Sequence, residues 1–200
     1  MTHQTINLKC PGCGAAVDTG TANCKYCGRQ IVISTFNSVF NMKMPELAQN
    51  TKCYSEVLAD HPDSTIINSS AAMCYLKLKL YDKALPCFER AIESNFDNPE
   101  SYFYASVCLL KGQKAFNTHR NDIIKALELI NAAIQIEPRG IFYYFMAYIK
   151  FDFHERKYLN ISPSYIEELE NSRMYNVTSE DIRLLFEVIG KPIPQEIVIF

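Results

Sequence analysis

Apolar and small residues return along this chain at a fixed interval. Cys53, Leu58 and Asp63 recur as Cys87, Ile92 and Asp97, and Ala71, Cys74, Leu76 and Lys77 recur as Ala105, Cys108, Leu110 and Lys111, each at an offset of 34 residues. Within each period the apolar positions fall at spacings of three and four, one face of a helix. Ala84, Phe88 and Ala91 form one such face, and Ala126, Ile130 and Ala133 form the next. A self-similar period of this length predicts pairs of helices that stack on one another, because one pair alone cannot bury its apolar stripe. First helices are expected to begin near Thr65, Pro99 and Ile141, and a second helix follows the turn at Tyr81-Asp82-Lys83-Ala84. A weaker copy reads Asn50, Tyr54 and Val57 and stops at Pro62.

Those residues resemble the tetratricopeptide family over about 45–160. Tyr81-Asp82-Lys83-Ala84 matches the turn into a second helix, and Ile136-Glu137-Pro138 matches the end of one. Departures exist: Lys79 or Gln113 stands where the family has glycine, and Asn68 replaces an aromatic that Tyr102 and Tyr144 keep. The resemblance implies a helical solenoid whose inner wall binds a protein segment. The matching wall positions are Met73, Leu76, Phe103, Tyr104, Val107, Phe142, Phe145 and Ile149, apolar and aromatic throughout. Such a wall suits an amphipathic helix or an extended apolar segment. The alternative is that the chain's own C-terminal helices cover it. Members that grip a terminal carboxylate use Lys, Arg and Asn there, and none stands at these places.

Ahead of the repeats lie two turns of one pattern, Cys10-Pro11-Gly12-Cys13-Gly14 and Cys24-Lys25-Tyr26-Cys27-Gly28. Each C-x-x-C aims two thiolates at one point, and four soft sulfur ligands suit tetrahedral zinc. The glycines fit the left-handed backbone that such turns need. A four-thiolate site leaves no position for a catalytic water, so its role is structural or protein-docking. Lys9, Lys25 and Arg29 are placed to offset its negative charge. The segment resembles short N-terminal zinc ribbons over about residues 7–34. Ile31-Val32-Ile33 is expected to close the ribbon as its last strand.

The spacing from Ala84 to Ala126 is 42 residues, eight more than the period, and places an insertion at 112–122. It carries Lys114, His119 and Arg120 after Lys111, and reads as a solvated basic loop or a binding element. Beyond it, Ser162-Pro163 predicts the start of a helix over 164–174. Thr178 and Asp181 resemble a capping box before an apolar face of Ile182, Leu185, Phe186 and Ile189. Glu167, Glu168, Glu170, Glu180, Asp181 and Glu187 read as the polar outer face of a terminal cap. The apolar end, Ile197 to Phe200, is expected to pack on the protein itself, pair as a strand or insert in a partner.

Composition narrows the function. A net charge of −2 and scattered basic residues give no reason to expect nucleic acid. The N-terminus is polar and no apolar run approaches a membrane span, so neither a signal peptide nor a membrane association is expected. Eight cysteines in this arrangement read as metal ligands and packing residues in a reducing, cytoplasmic compartment. No phosphate loop, nucleophile elbow or histidine metal motif is present. The sequence thus predicts a mainly α protein: a zinc ribbon over 1–34, tetratricopeptide-like repeats over 35–160, and capping helices with a tail over 161–200. Its expected work is that of a non-enzymatic adaptor with zinc as its cofactor and a protein as its partner. The alternatives are a nucleic-acid-associated factor that reads through the ribbon, or a regulatory subunit of an enzyme.

Overall fold

The computed structural model describes residues 5–33 and 35–199. The chain forms two compact units, Met1–Phe96 and Asp97–Phe200.

In the first unit, β1 (Asn7–Lys9) and β2 (Ala16–Asp18) form an antiparallel hairpin with Leu8 opposite Val17. A short α1 (Phe36–Phe40) follows, then α2 (Met44–Asp60), α3 (Thr65–Lys77) and α4 (Tyr81–Ser94). Pro45 sits in the first turn of α2, where its missing N–H costs nothing. The Ser64 hydroxyl caps α3 by accepting from the Ile67 N–H. Asn68, standing in for an aromatic, is buried and donates through Nδ2 to the carbonyls of Pro62 and Ser64 at 2.7 and 3.0 Å. It thereby fastens the loop that the aromatic would only cover. After α3, Lys79 takes the left-handed turn at φ 57°.

The expected third strand does not form. Ile31 and Ile33 are fully buried, but their backbone groups bond elsewhere. Tyr54 Oη donates to the Ile31 carbonyl at 2.8 Å, the Ile33 N–H donates to Ser70 Oγ at 3.0 Å, and the Ile31 N–H reaches the Ala22 carbonyl. With the Ile31 carbonyl taken by α2 and the Ile33 N–H by α3, the segment ties the ribbon to the helices. Pairing stops at a single bridge between Asn23 and Gln30.

In the second unit, α5 (Pro99–Leu109) pairs with α6 (Arg120–Ile136), and α7 (Gly140–Ile149) pairs with α8 (Tyr165–Met174). The final helix, α9 (Ser179–Ile189), ends on Gly190 at φ 71°. Thus α8 is the partner of α7, and the helix pairing runs beyond residue 160. It was hidden in the sequence because α7 leaves through a π turn at Lys150–His154 and a 3₁₀ turn at Glu155–Lys157. Ser164, not Ser162, caps α8. Its hydroxyl accepts from the Glu167 N–H while the Glu167 carboxylate accepts from the Ser164 N–H. The predicted Thr178–Asp181 box is present at α9. Gly140 is where α7 meets the end of α8. A Cβ there would collide with backbone atoms of Ser172, Tyr175 and Val177.

The core of this unit is aromatic. Phe103 meets Phe142 and Phe145 at centroid distances of 4.7 and 5.7 Å, and Phe186 of α9 packs edge-on against Tyr148 at 5.1 Å. Among the described residues the tail forms no strand. It makes a 3₁₀ turn at Gln195–Ile197 that buries Ile197, whose carbonyl accepts from Tyr144 Oη at 2.9 Å. Phe200 lies outside the described residues.

Candidate metal centre and the repeat surface

The two C-x-x-C turns fold alike. The Cys10 N–H bonds to the Ala15 carbonyl at 2.8 Å and the Gly14 N–H to the Cys10 carbonyl at 2.9 Å. In the second turn Cys24 bonds to Arg29 at 2.7 Å and Gly28 to Cys24 at 2.8 Å. Gly14 and Gly28 both sit at φ 74° with open space where a Cβ would lie, so backbone conformation alone selects glycine.

This repetition brings the four sulfurs together. Cys10 Sγ lies 3.6 Å from Cys27 Sγ and Cys13 Sγ lies 3.7 Å from Cys24 Sγ, and all four ligand atoms fall within 4.8 Å of one another. Tetrahedral ligands at the usual zinc–sulfur distance of ~2.3 Å stand ~3.8 Å apart. The sulfurs therefore have the span of one four-coordinate ion. Cys10 and Cys24 are buried, whereas Cys13 and Cys27 face outward. The Gly12 N–H points at Cys10 Sγ at 3.4 Å. Desolvation raises the Cys24 thiol, yet N–H groups of Cys27 and Tyr26 and the Cys10 and Cys27 sulfurs outweigh it, holding the thiol down at about 6. At Cys27, the Arg29 backbone favours the thiolate, but desolvation and the three neighbouring sulfurs push it up to about 11. Four crowded sulfurs cannot all ionise without a cation among them. The chemistry of the cluster thus fits a closed cation site.

Arg29 links this centre to α2. Its guanidinium donates to the Pro11 carbonyl at 3.2 Å and to Gln49 Oε1 at 2.9 Å, and Nε lies 3.5 Å from Glu46. A Cβ on Gly12 would fall 2.8 Å from Arg29 Nε, so that glycine makes room for the bridge. Cys53, also on α2, donates from Sγ to the Lys9 carbonyl at 3.1 Å. It is no metal ligand, and burial pushes its thiol up to about 11. Cys74, Cys87 and Cys108 are buried packing residues, as expected.

The eight wall positions fare differently from the cysteines. Met73, Leu76, Phe103, Val107, Phe142, Phe145 and Ile149 are each at most 3% exposed. Tyr104 alone is half-buried, with a phenol that desolvation holds above its ordinary range. The wall is therefore core rather than an open surface, and periodicity could not reveal this because it gives a helix face but not what lies against it.

Two further expectations change. Glu168 belongs to no outer face: it is 3% exposed and pairs with buried Lys150 at 2.5 Å, whose Nζ also donates to the Pro163 carbonyl at 2.9 Å. The insertion is ordered, not merely solvated. Ala115 and Thr118 are buried, the Ala115 N–H donates to Tyr148 Oη at 3.4 Å, and the Phe116 N–H donates to Asp152 at 2.8 Å. No helix among the described residues is long and apolar enough to cross a membrane.

No family model matches the chain. A TPR repeat-containing protein of Methanocaldococcus jannaschii is 29% identical over 117 residues, 58% of this chain, and the chain spans 18% of that protein's length. Two solved structures of MamA AMB-1 superpose with TM-scores of 0.51 and 0.50 at 19% and 16% identity. The first covers 64% of this chain and 68% of its own; the second covers 74% and 84%. At such identities the likeness is one of fold. With the helix pairs and the cysteine cluster described above, it makes the chain a tetratricopeptide-like helical protein with an N-terminal four-cysteine ribbon.

Proposed function

We propose that this chain is a non-enzymatic scaffold that holds a protein partner, with one structural zinc ion in its ribbon. The observation that carries the zinc assignment is the separation of the four sulfurs, which matches one tetrahedral ion and leaves no open coordination position. Zinc would neutralise the crowded thiolates and fix the two turns; Arg29 then fastens the first turn to α2. The stacked helix pairs support the scaffold reading, since this architecture serves to present surface to other proteins. A four-thiolate site suits a reducing, cytoplasmic setting. Of the eight wall residues only Tyr104 keeps partial exposure, with its phenol desolvated, and the other seven maintain the helices.

The test has two arms. Elemental analysis of the purified chain should find about one zinc per molecule, as a single four-thiolate site requires. Absence of zinc, or full occupancy in a Cys13→Ser, Cys27→Ser variant, refutes the metal assignment. Affinity capture with the intact chain should recover one defined protein in stoichiometric amount. A turnover detected with the purified chain alone would refute the non-enzymatic reading.

A further inference from the structure

The second unit departs from a regular repeat in two places, and the two departures meet. One is the insertion between α5 and α6, which presents Lys114, Phe116 and Arg120. The other is the π turn and 3₁₀ turn after α7, which present His154, Arg156 and Lys157. π turns inside helices are frequent at functional sites because they re-aim side chains. The bonds from Ala115 to Tyr148 and from Phe116 to Asp152 lock the two segments together.

The result is a ring flanked by cations. Arg156 Cζ and Lys157 Nζ each lie 4.8 Å from the Phe116 ring centroid, and Lys157 Nζ lies 3.7 Å from that of Phe153. Lys114 and Arg156 line a cavity of about 270 Å³ together with the carboxylates of Asp152 and Glu196. Arg156 is paired with Asp152. Lys114, Arg120 and Lys157 make no ion pair among the described residues. Lys114 and Arg120 are exposed, and Lys157 is half-buried. The stretch from Lys111 to Arg120 contains three cations and no carboxylate, in a chain whose net charge is −2. The combined field reaches His154, which burial first, and then the charges of Lys150, Lys157 and Arg120, hold below its ordinary value.

We propose that this patch is a docking surface for a short acidic peptide segment of a partner protein, its carboxylates held by Lys114, Arg120 and Lys157 around Phe116. The inference rests on the scaffold reading and names the chemistry of the partner. Charge complementarity selects the occupant. Three cations without an ion pair among the described residues, one of them, Lys157, over aromatic faces, favour carboxylates, and the patch is only a few residues across. A long polyanion such as RNA or DNA is disfavoured because Glu167, Glu170, Glu180 and Glu187 follow in the same unit. The site is distinct from the apolar wall.

The experiment is fluorescence anisotropy of a labelled oligoglutamate peptide at about 150 mM salt, where exposed charges beyond ~8 Å are screened. A single-stranded oligonucleotide of matched charge and inorganic phosphate serve as competitors. Binding of the peptide to the full chain is expected. The variant Lys114→Glu, Arg120→Glu, Lys157→Glu should weaken it at least about tenfold, the effect of losing one charge-assisted contact. The milder Lys114→Gln, Arg120→Gln, Lys157→Gln variant should weaken it too, with an unchanged circular dichroism spectrum. Reversal of Lys43, Lys52 and Lys83 in the first unit should leave it within about twofold. No peptide binding, equal loss in both triple reversals, or tighter binding of the oligonucleotide or phosphate overturns the proposal. The scaffold reading fails separately. If a natural partner binds the charge-reversed chain undiminished, this inference falls and the scaffold stands. If no protein partner is captured while the peptide still binds this patch, the scaffold reading falls instead.

Discussion

Between Ile6 and Gln30 the ribbon withdraws only a few apolar side chains from water: Ile6, Leu8 and Val17, together with Cys10 and Cys24. Between Pro99 and Ile189 the second unit buries Phe103, Phe142, Tyr144, Phe145, Tyr148 and Phe186 in one connected set of rings. A segment of the ribbon's size falls below what an apolar core can hold, and the proposed zinc at its four clustered sulfurs would compensate. The helical unit needs no such point, since its rings together withdraw far more apolar area than the ribbon's few side chains. The difference teaches where each region is vulnerable: one to chelation or oxidation, the other to changes of volume and charge inside its core.

Metal removal should separate the two most sharply. Structural zinc contributes on the order of 10–16 kcal/mol to small domains of this kind at neutral pH. Chelation, or Cys13→Ser with Cys27→Ser, should unfold residues 7–30 while the second unit keeps its helices. Amide resonances of the ribbon and of its contacts at Glu46, Gln49 and Tyr54 should shift, and those of Phe142–Tyr148 should not. Collapse of helical circular dichroism on chelation would show that the helices also depend on the metal, and the contrast would be broken.

The next effect lies inside the second unit. Lys150 and Glu168 are both buried and bonded to each other, and Lys150 also holds the Pro163 carbonyl. Removing one partner strands a charge, which costs about 3–5 kcal/mol. Lys150→Ala should therefore lower the denaturation midpoint strongly. Replacing the pair by Lys150→Met with Glu168→Leu should recover most of that loss, since an apolar pair of similar volume avoids desolvation. A double variant as unstable as the single one would mean that the bond to Pro163, not the pair, fastens α8 to α7.

Volume changes should tell the same unit apart from its expected role. Phe145 is fully buried, so Phe145→Ala should cost about 3–5 kcal/mol in thermal or denaturant unfolding. Tyr104→Ala, half-buried, should cost much less stability. If Phe145→Ala left stability unchanged, the wall would be open in solution, and its reading as a partner groove would return.

These outcomes bear on what the chain could disclose unaided. Signals contained in a few consecutive residues were legible: both C-x-x-C-G turns, the starts of α3, α4 and α5, and the Thr178–Asp181 box. Their partners lie within the same turn, so spacing is enough. Ile31 and Ile33 were not legible, because Ser70 and Tyr54 take their backbone groups from 37 and 23 residues away. Glu168 looked like surface until Lys150 was brought to it. The wall residues were placed on the right helices, yet burial depends on neighbours that periodicity does not specify. Gly140 carried a readable hint, a glycine opening an otherwise large-residue helix, but only the backbone of Ser172–Val177 gives it a reason.

The smallest effect tests a turn that both units make two residues past a first helix. Lys79 follows α3 and Lys111 follows α5, and both adopt the left-handed conformation, at φ 57° and 49°. A side chain there costs roughly 1–2 kcal/mol, and glycine would remove that strain. Glycine in turn loses more freedom on folding, about 0.5–1 kcal/mol. The net expectation for Lys79→Gly is a gain of about 0.5 kcal/mol, or ~2–4 °C in a unit of roughly 100 residues. Lys111→Gly should gain less, because Gly112 beside it already sits at φ 70° and a second glycine loosens the same turn further. Differential scanning calorimetry of the two variants measures both. A drop in midpoint for Lys79→Gly would show that its side chain is held by something worth more than the strain. The ring of Phe40 attracts Lys77, two residues earlier, at 4.1 Å, so a neighbouring cation already has such a hold. Lys77→Ala in the Lys79→Gly background then tells whether the turn is positioned by its backbone or by that contact.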